Sequence, residues 1–292
     1  MKTHIKEIEN SVDRLRFTNG ITLSLESPLV MGIINITPDS FYDGGKYISA
    51  QAAIERSERL IAEGTDMLDL GAASTRPGAE DVTPGEELKR LLPVLEHIIK
   101  NHPNVPVSID TFHASVAKEV LEKGASLIND ISGGADPEMY RTVANYKAPY
   151  VLMHMQGTPK TMQQNPHYDD IVAEVHQYFV ERIKKLKAAG VSQIIIDPGF
   201  GFGKTVEHNY TLLQHINKFK DLGFPVMAGV SRKSMINKVL KTKPENALAG
   251  TISLNTLALL QGADILRVHD VKEATQVILL VKQYLTSNSI AE

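Results

Sequence analysis

The chain has 292 residues, 31 Lys and Arg against 34 Asp and Glu, a formal net charge of −3 and no cysteine. That length fits one large α/β domain or two ordinary ones, the 42% hydrophobic content can fill a sizeable core, and the charge balance offers no basic face for nucleic acid. The lack of thiols excludes disulfides, cysteine nucleophiles and thiolate metal sites and fits the cytoplasm, while no secretion signal opens the chain and no stretch nears the ~18 apolar residues of a membrane span.

Residues 1–28 read differently from the rest. Arg14–Phe17 and Ile21–Leu25 flank Asn19-Gly20, a strong signal for a tight hairpin. The expectation is an N-terminal β-hairpin extension over 1–28, acting as a small lid on one end of a single domain over 29–292.

From Leu29 the chain alternates. Apolar runs fall near 30–35, 66–70, 105–109, 126–129, 150–153, 193–197, 224–228 and 264–268. Helical segments lie between them and after the last. Ala50–Ala62 places Ile54, Ser57, Leu60 and Ile61 on one face, and Pro84–Lys100 places Leu88, Leu91, Leu92, Leu95 and Ile98. Asp169–Ala188, Ala247–Gln261 and Val271–Tyr284 have the same character. The runs are apolar nearly throughout, as strands buried on both faces should be. Eight βα units in one domain of this length predict an α/β fold of the (β/α)8 TIM-barrel type. A doubly wound sheet is the alternative, with fewer strands and one switch point.

Two loops are long: Ile36–Ser49, containing TPDSFYDGG, and Gly71–Thr83, containing STRPGAED. Both are rich in Gly, Pro and polar groups. On the catalytic face of a barrel such loops are lids or binding loops.

Six runs end on, or lead into, a residue that can do chemistry: Asn35, Asp110, Asn129, Asp197, Lys233, and Arg267 with His269. A parallel barrel delivers every strand's C-terminal end to one face, so these residues would form a ring. Arg267 and His269 are two apart and would share a side, where a guanidinium beside an imidazole can clamp phosphate. Ser231-Arg232-Lys233-Ser234 opens a helix after strand seven, another anion-prone position. Asp110, Asn129 and Asp197 can pair with the donor edge of an N-heterocycle. Helix capping is the plainer alternative for Asp110 and Asn129; Asp197, followed by Pro198-Gly199, fits it less well. Asn35 could offer its amide oxygen to Mg2+ or simply form a turn.

Gly199-Phe-Gly-Phe-Gly-Lys-Thr205 resembles a phosphate loop, but the position that needs its first glycine is Pro198, which has no N–H. His154 reads as a structural histidine. Met153 and Met155 read as pocket wall.

Together MGIINITPDSFYDGG, DLGAASTRPGAE, VSIDT, LINDISGG, VLMHMQGTP, IIIDPGFGFGK, GVSRKS and LRVHD resemble the dihydropteroate synthase family of pterin-binding barrels, in order from about Pro28 to Val271. The resemblance implies a transferase of folate biosynthesis and a sulfonamide target. Its substrates would be 6-hydroxymethyl-7,8-dihydropterin pyrophosphate and para-aminobenzoate. It implies that Asp197, Asn129, Lys233 and Met153 hold the pterin, with Asp110 close to the ring. Arg267, His269 and Asn35 would hold pyrophosphate, Asn35 through Mg2+. Thr75, Arg76 and Pro77 on the second loop, with Phe41 and Asp43 on the first, would close over the site, and Ser234 would lie near aminobenzoate. Asp110, Asp43, Lys233 and Arg76 would carry catalysis. It also implies a homodimer through outer-ring helices. Many members have Glu where this chain has Ala73, which leaves the second loop's contacts open. A methyltetrahydrofolate-binding methyl-transfer module and a non-catalytic pterin-binding paralogue are the alternatives. The Ser-Arg-Lys-Ser segment and the Arg267/His269 pair count against the first, and full occupancy of the expected positions counts against the second.

Overall fold

The computed structural model describes residues 13–36, 46–73 and 82–287. Eight parallel strands, β3 (Leu29–Asn35), β4 (Met67–Gly71), β5 (Val107–Asp110), β6 (Leu127–Asp130), β7 (Tyr150–Met153), β8 (Ile194–Asp197), β9 (Met227–Ala228) and β10 (Ile265–Val268), pair in chain order around a barrel. β10 pairs back onto β3, with Ile265 opposite Leu29. The barrel closes weakly between β8 and β9, through one bridge from Ile196 to Val226 and the Ile196 N–H donating to the Pro225 carbonyl at 2.8 Å. The sequence suggests a seventh strand over 224–228; only Met227 and Ala228 form it. Pro225 has no N–H to add to a ladder, so pairing cannot extend backwards through it.

The helices α1 (Lys46–Ala62), α2 (Pro84–Asn101), α3 (Ala114–Glu122), α4 (Met139–Asn145), α5 (Ile171–Ala188), α6 (Val206–Gln214), α7 (Ile216–Lys220), α8 (Ser234–Leu240), α9 (Leu248–Leu260) and α10 (Val271–Thr286) alternate with the strands. Their starts are written locally. Thr83 caps α2 by accepting from Glu86 N, with Pro84 in the first turn. Asp170 caps α5 by accepting from Val172 N and Ala173 N. The predicted α2 stripe is buried at Leu91, Leu95 and Ile98. The first long loop is shorter than predicted, because α1 begins at Lys46. No helix among the described residues is long and apolar enough to cross a membrane.

The antiparallel hairpin β1 (Arg14–Arg16) and β2 (Thr22–Ser24) turns at Asn19-Gly20. It buries Leu15 and Phe17 against Met31, Met67, Leu127, Val151, Ile195 and Ile265. Burying each such side chain is worth about 1.5–3 kcal/mol.

Most of those partners lie near the N-terminal ends of the strands and have a polar neighbour two residues on. Met67 is followed by Asp69, Leu127 by Asn129, Ile195 by Asp197 and Ile265 by Arg267, while Met31 and Val151 are followed by Ile33 and Met153. A strand repeats every two residues, so each pair faces the same way. The barrel interior is therefore apolar at one end and polar at the other.

Candidate active site

The polar end opens into a cavity of about 810 Å³. It is lined by Asn35, Asp110, Asn129, Met153, Asp197, Lys233, Ser234, Arg267 and His269, all singled out from the sequence. Six strands and the segments that follow β9 and β10 bring these residues together across more than 230 positions of chain. Ile33, Ala73, Phe202, Ser231 and Asn237 add to the wall. Phe41, Asp43, Thr75, Arg76 and Pro77 lie outside the described residues.

Asp69 is the site residue that sequence reading passes over. It is fully buried in the middle of β4. One oxygen accepts from Ser108 Oγ at 2.5 Å; the other accepts from Asn129 Nδ2 at 3.1 Å and Arg267 Nε at 2.6 Å. A buried carboxylate needs such donors. The available signal was a charge inside the apolar run MLDLG, in register with Met67.

Arg267 spans two carboxylates, because Nη2 also donates to Asp110 Oδ2 at 2.9 Å. Burial opposes the charge on Arg267, but Asp69 and Asp110 outweigh it and raise its pKa. Burial pushes the Asp110 carboxyl up to about 7, with Arg267 pulling it down and Asp69 adding to the rise. The capping alternatives for Asp110 and Asn129 fall away. The first N–H of α3 goes to Asp136, and no side chain of the preceding residue caps it; α4 starts at Met139, ten residues past Asn129, whose amide donates to Asp69.

Asp197 accepts from the Gly199 N–H at 2.8 Å, and burial raises its pKa against the pull of Lys233. Lys233 donates to the Phe200 carbonyl at 2.5 Å and lies 4.8 Å from the centre of the Phe202 ring. Burial lowers its pKa to about 8, with Asp197 opposing. Its neighbour Arg232 is engaged differently. Held at φ 55°, it donates to both oxygens of Asp270 at 2.7 and 2.9 Å and to the Pro244 and Glu245 carbonyls. It anchors the loop.

His269 is buried enough to bring its pKa down to about 4, so its ring is neutral at pH 7. Its Nδ1 lies 3.0 Å from Ser231 Oγ, which itself accepts from the His269 N–H at 3.1 Å. With the Ser231 hydroxyl donating to Nδ1, the ring proton would sit on Nε2, where it can meet an anion. Arg56 donates to the His269 carbonyl.

The cavity thus offers acceptors from Asp110, Asn129 and Asp197 and donors from Lys233, Arg267 and His269, all from a rigid frame. Among the described residues no cluster of three or more His, Asp or Glu could hold a metal ion alone. A metal here would draw on neutral oxygens and on its ligand.

Residues 31–269 match the family described as pterin binding enzyme. The chain is 43% identical over 273 residues to dihydropteroate synthase of Escherichia coli K12, covering 93% of this chain and 96% of that protein. The structure of Yersinia pestis dihydropteroate synthase with a sulfonamide drug complex superposes with a TM-score of 0.89 at 40% identity, covering 94% of this chain and 99% of that one. The Xanthomonas albilineans dihydropteroate synthase with 4-aminobenzoic acid gives 0.88 at 41% identity, covering 96% and 99%.

Proposed function

The chain belongs to the pterin-binding enzymes and, among them, to the dihydropteroate synthases, and from that premise we propose how its residues divide the reaction. The reaction joins 6-hydroxymethyl-7,8-dihydropterin pyrophosphate to para-aminobenzoate. The carbon–oxygen bond to pyrophosphate breaks, the aromatic amine bonds to the freed methylene carbon, and the amine sheds a proton.

Asp197 and Asn129 take the donor edge of the aminopyrimidine, Lys233 donates to the pterin carbonyl oxygen, and Met153 lines the ring's face. A dihydropterin is electron-rich and can spread positive charge, so bond breaking can run ahead of attack. The protein then has to place negative charge near the ring and positive charge at the leaving group. Asp110 supplies the first. Arg267 supplies the second, and neutral His269 adds an N–H donor to the leaving group. If Arg267 swings from Asp110 towards pyrophosphate, it leaves Asp110 uncompensated and facing the cation. The convergence of these seven residues on one cavity carries this reading.

Asn35 suits Mg2+ through its single neutral oxygen at the cavity wall. Mg2+ keeps several waters and takes phosphate oxygens, so no protein cage is required. Bound there with pyrophosphate, the ion would offset charge on the leaving group. Ser234, exposed at the rim, and Phe41, Asp43, Thr75, Arg76 and Pro77 are assigned to aminobenzoate and to closure over it, which would keep water from trapping the cation.

We place the enzyme in the cytoplasm, with residues 29–292 as its one barrel domain and residues 1–28 as an extension. A homodimer would cover the apolar outer faces of α9 and α10, where Leu257, Leu260, Leu279, Leu280 and Tyr284 are exposed.

The direct test follows pyrophosphate release and dihydropteroate formation with Mg2+, with and without aminobenzoate. Product that depends on aminobenzoate and is lost in Lys233→Ala supports the assignment. Undiminished product in Asp197→Ala and Lys233→Ala would refute it.

A further inference from the structure

The Gly199–Lys204 segment has Pro198 where a phosphate loop needs its first glycine, and the structure gives it a different use. Five consecutive carbonyls are held by side chains. Gly199 O accepts from Lys204 Nζ at 2.9 Å and Phe200 O from Lys233 Nζ at 2.5 Å. Gly201 O accepts from Gln163 Nε2 at 2.7 Å, Phe202 O from Lys204 Nζ at 2.9 Å and Gly203 O from Tyr168 Oη at 2.9 Å. A phosphate loop turns N–H groups to an anion; this segment turns its carbonyls to two lysines, an amide and a hydroxyl.

Lys204 is at the centre. It is 4% exposed. Besides the two loop carbonyls, its Nζ lies 3.0 Å from His154 Nδ1 and 3.3 Å from the His154 carbonyl. Burial pushes the His154 ring down to about 2, so Nδ1 can serve as an acceptor. The ring is fixed edge-on to Tyr178, with centroids 4.9 Å apart at 90°.

The backbone admits no slack. Gly199 has φ 71°, and a Cβ there would lie 1.9 Å from the His154 carbonyl oxygen. Gly203 has φ 63°, and its Cβ would lie 2.5 Å from the Gln156 carbonyl oxygen. Only glycine lets the segment lie this close to the chain leaving β7.

We propose that Lys204 is a positioning residue for pterin binding, gathering the Gly199 and Phe202 carbonyls against His154 and thereby fixing the Phe200 carbonyl and Phe202 ring that hold Lys233. This rests on the assignment of Lys233 and Asp197 to the pterin. Lys204 has a second effect through charge. The cations acting on Asp197 are Lys233, Arg267 and Lys204. Burial lowers the pKa of Lys204 to about 7, Asp197 opposing and Lys233 adding to the fall. His154, Tyr168 and Tyr178 are the titratable groups packed around its cage.

The test is Lys204→Met in the full-length enzyme, with kcat and both KM values measured from about pH 5 to about pH 9. The pterin KM should rise about tenfold, with the aminobenzoate KM within about twofold of the parent. The acid limb of kcat/KM for the pterin should move to higher pH, because Asp197 has lost a cation. A folded variant with the parent's pterin KM and acid limb would overturn the proposal. So would an equal loss for both substrates with an unmoved limb, which marks a scaffold lysine only. If Lys204→Met is insoluble, His154→Gln removes the ring acceptor but keeps the lysine. A selective rise in pterin KM supports the proposal there, and a parent-like value sinks it. Asp197→Ala is run alongside: parent-like pterin affinity in that variant would locate the fault in the pterin assignment instead.

Discussion

Arg267 Nη2 and Asp110 Oδ2 meet at 2.9 Å across 157 positions of sequence, while the same guanidinium holds Asp69 at 2.6 Å. One cation therefore ties together a residue assigned to the ring, one beneath the site, and the end of the cavity assigned to pyrophosphate. Asp69 continues the tie to Asn129. The pterin and pyrophosphate ends are not independent.

The first prediction concerns the charge on Asp110. Asp110→Asn keeps the shape and one acceptor but removes the negative charge that the developing ring cation would feel. We expect kcat to fall about 10²-fold, a size seen for preorganised charge. The pterin KM should stay within about threefold, because the edge contacts through Asp197 and Asn129 persist. Steady-state kinetics decide it. A fall in affinity with kcat intact would make Asp110 a binding residue only.

The second concerns pH. Lys233 has to be protonated to donate to the pterin carbonyl, and its pKa is lowered to about 8, mainly by burial. Protonation is complete well below that value and is lost as pH rises through it. The pterin KM should therefore climb above about pH 8. Lys233→Arg keeps its charge throughout that range. Whatever its starting KM, the climb should vanish. A climb of the same steepness in the arginine variant would rule Lys233 out as its source.

The ring of strand-end residues was legible because buried parallel strands repeat every two residues and all end on one face. That logic finds Asp110, Asn129 and Asp197 at the ends of their runs and Arg267 through its pairing with His269 two residues on. It passes over Asp69, whose neighbour two residues on is Gly71 and which needs three-dimensional partners to be read. Capping and binding could not be separated for Asp110 from sequence alone, because both put a carboxylate between strand and helix. Adjacent cations were equally ambiguous: Arg232 and Lys233 differ in role through a backbone φ of 55° that no residue type announces. The short β9 was hidden because Pro225 sits inside an apolar run. Pro198 argues from sequence against a phosphate loop before Thr205, but the segment's carbonyl-out geometry depends on His154, Gln163 and Tyr168, which are distant in sequence.

The third prediction separates those two cations. Arg232→Ala removes the bonds to Asp270, Pro244 and Glu245. The pair is partly exposed, so the loss should be modest, about 1–2 kcal/mol of stability. Pterin KM should change less than about threefold, whereas Lys233→Ala should raise it at least about tenfold. Urea unfolding and kinetics on both variants give the comparison. Equal kinetic damage from the two would return Arg232 to the binding site.

The fourth addresses assembly. Leu280 is 72% exposed and Leu279 62% exposed on α10. Leu280→Arg should convert a sedimenting dimer to monomer, because a buried unpaired guanidinium opposes association. The barrel itself should melt unchanged, as the side chain contacts no core. A parent chain that sediments as a monomer at micromolar concentration removes the proposed interface.

The last prediction concerns Glu87, in the first turns of α2. Its side chain is 1% exposed, with the Thr111 hydroxyl and Arg90 as the polar groups acting on its carboxyl. Burial pushes its pKa from 4.5 up to about 7, with Thr111 and Arg90 only moderating the rise. The folded protein therefore holds this proton more tightly than the unfolded chain does. The contribution of protonated Glu87 to stability is fully present below about pH 4.5 and is lost as pH rises through about 7. At higher pH the cost of the buried charge has a ceiling of about 3 kcal/mol, from 1.36 kcal/mol per pKa unit. Glu87→Gln keeps the volume and cannot ionise. It should raise the urea midpoint at pH 8 while leaving that at pH 5 close to the parent, so the gap between variant and parent grows with pH. A gap of constant size at both pH values would mean that Glu87 does not titrate between them.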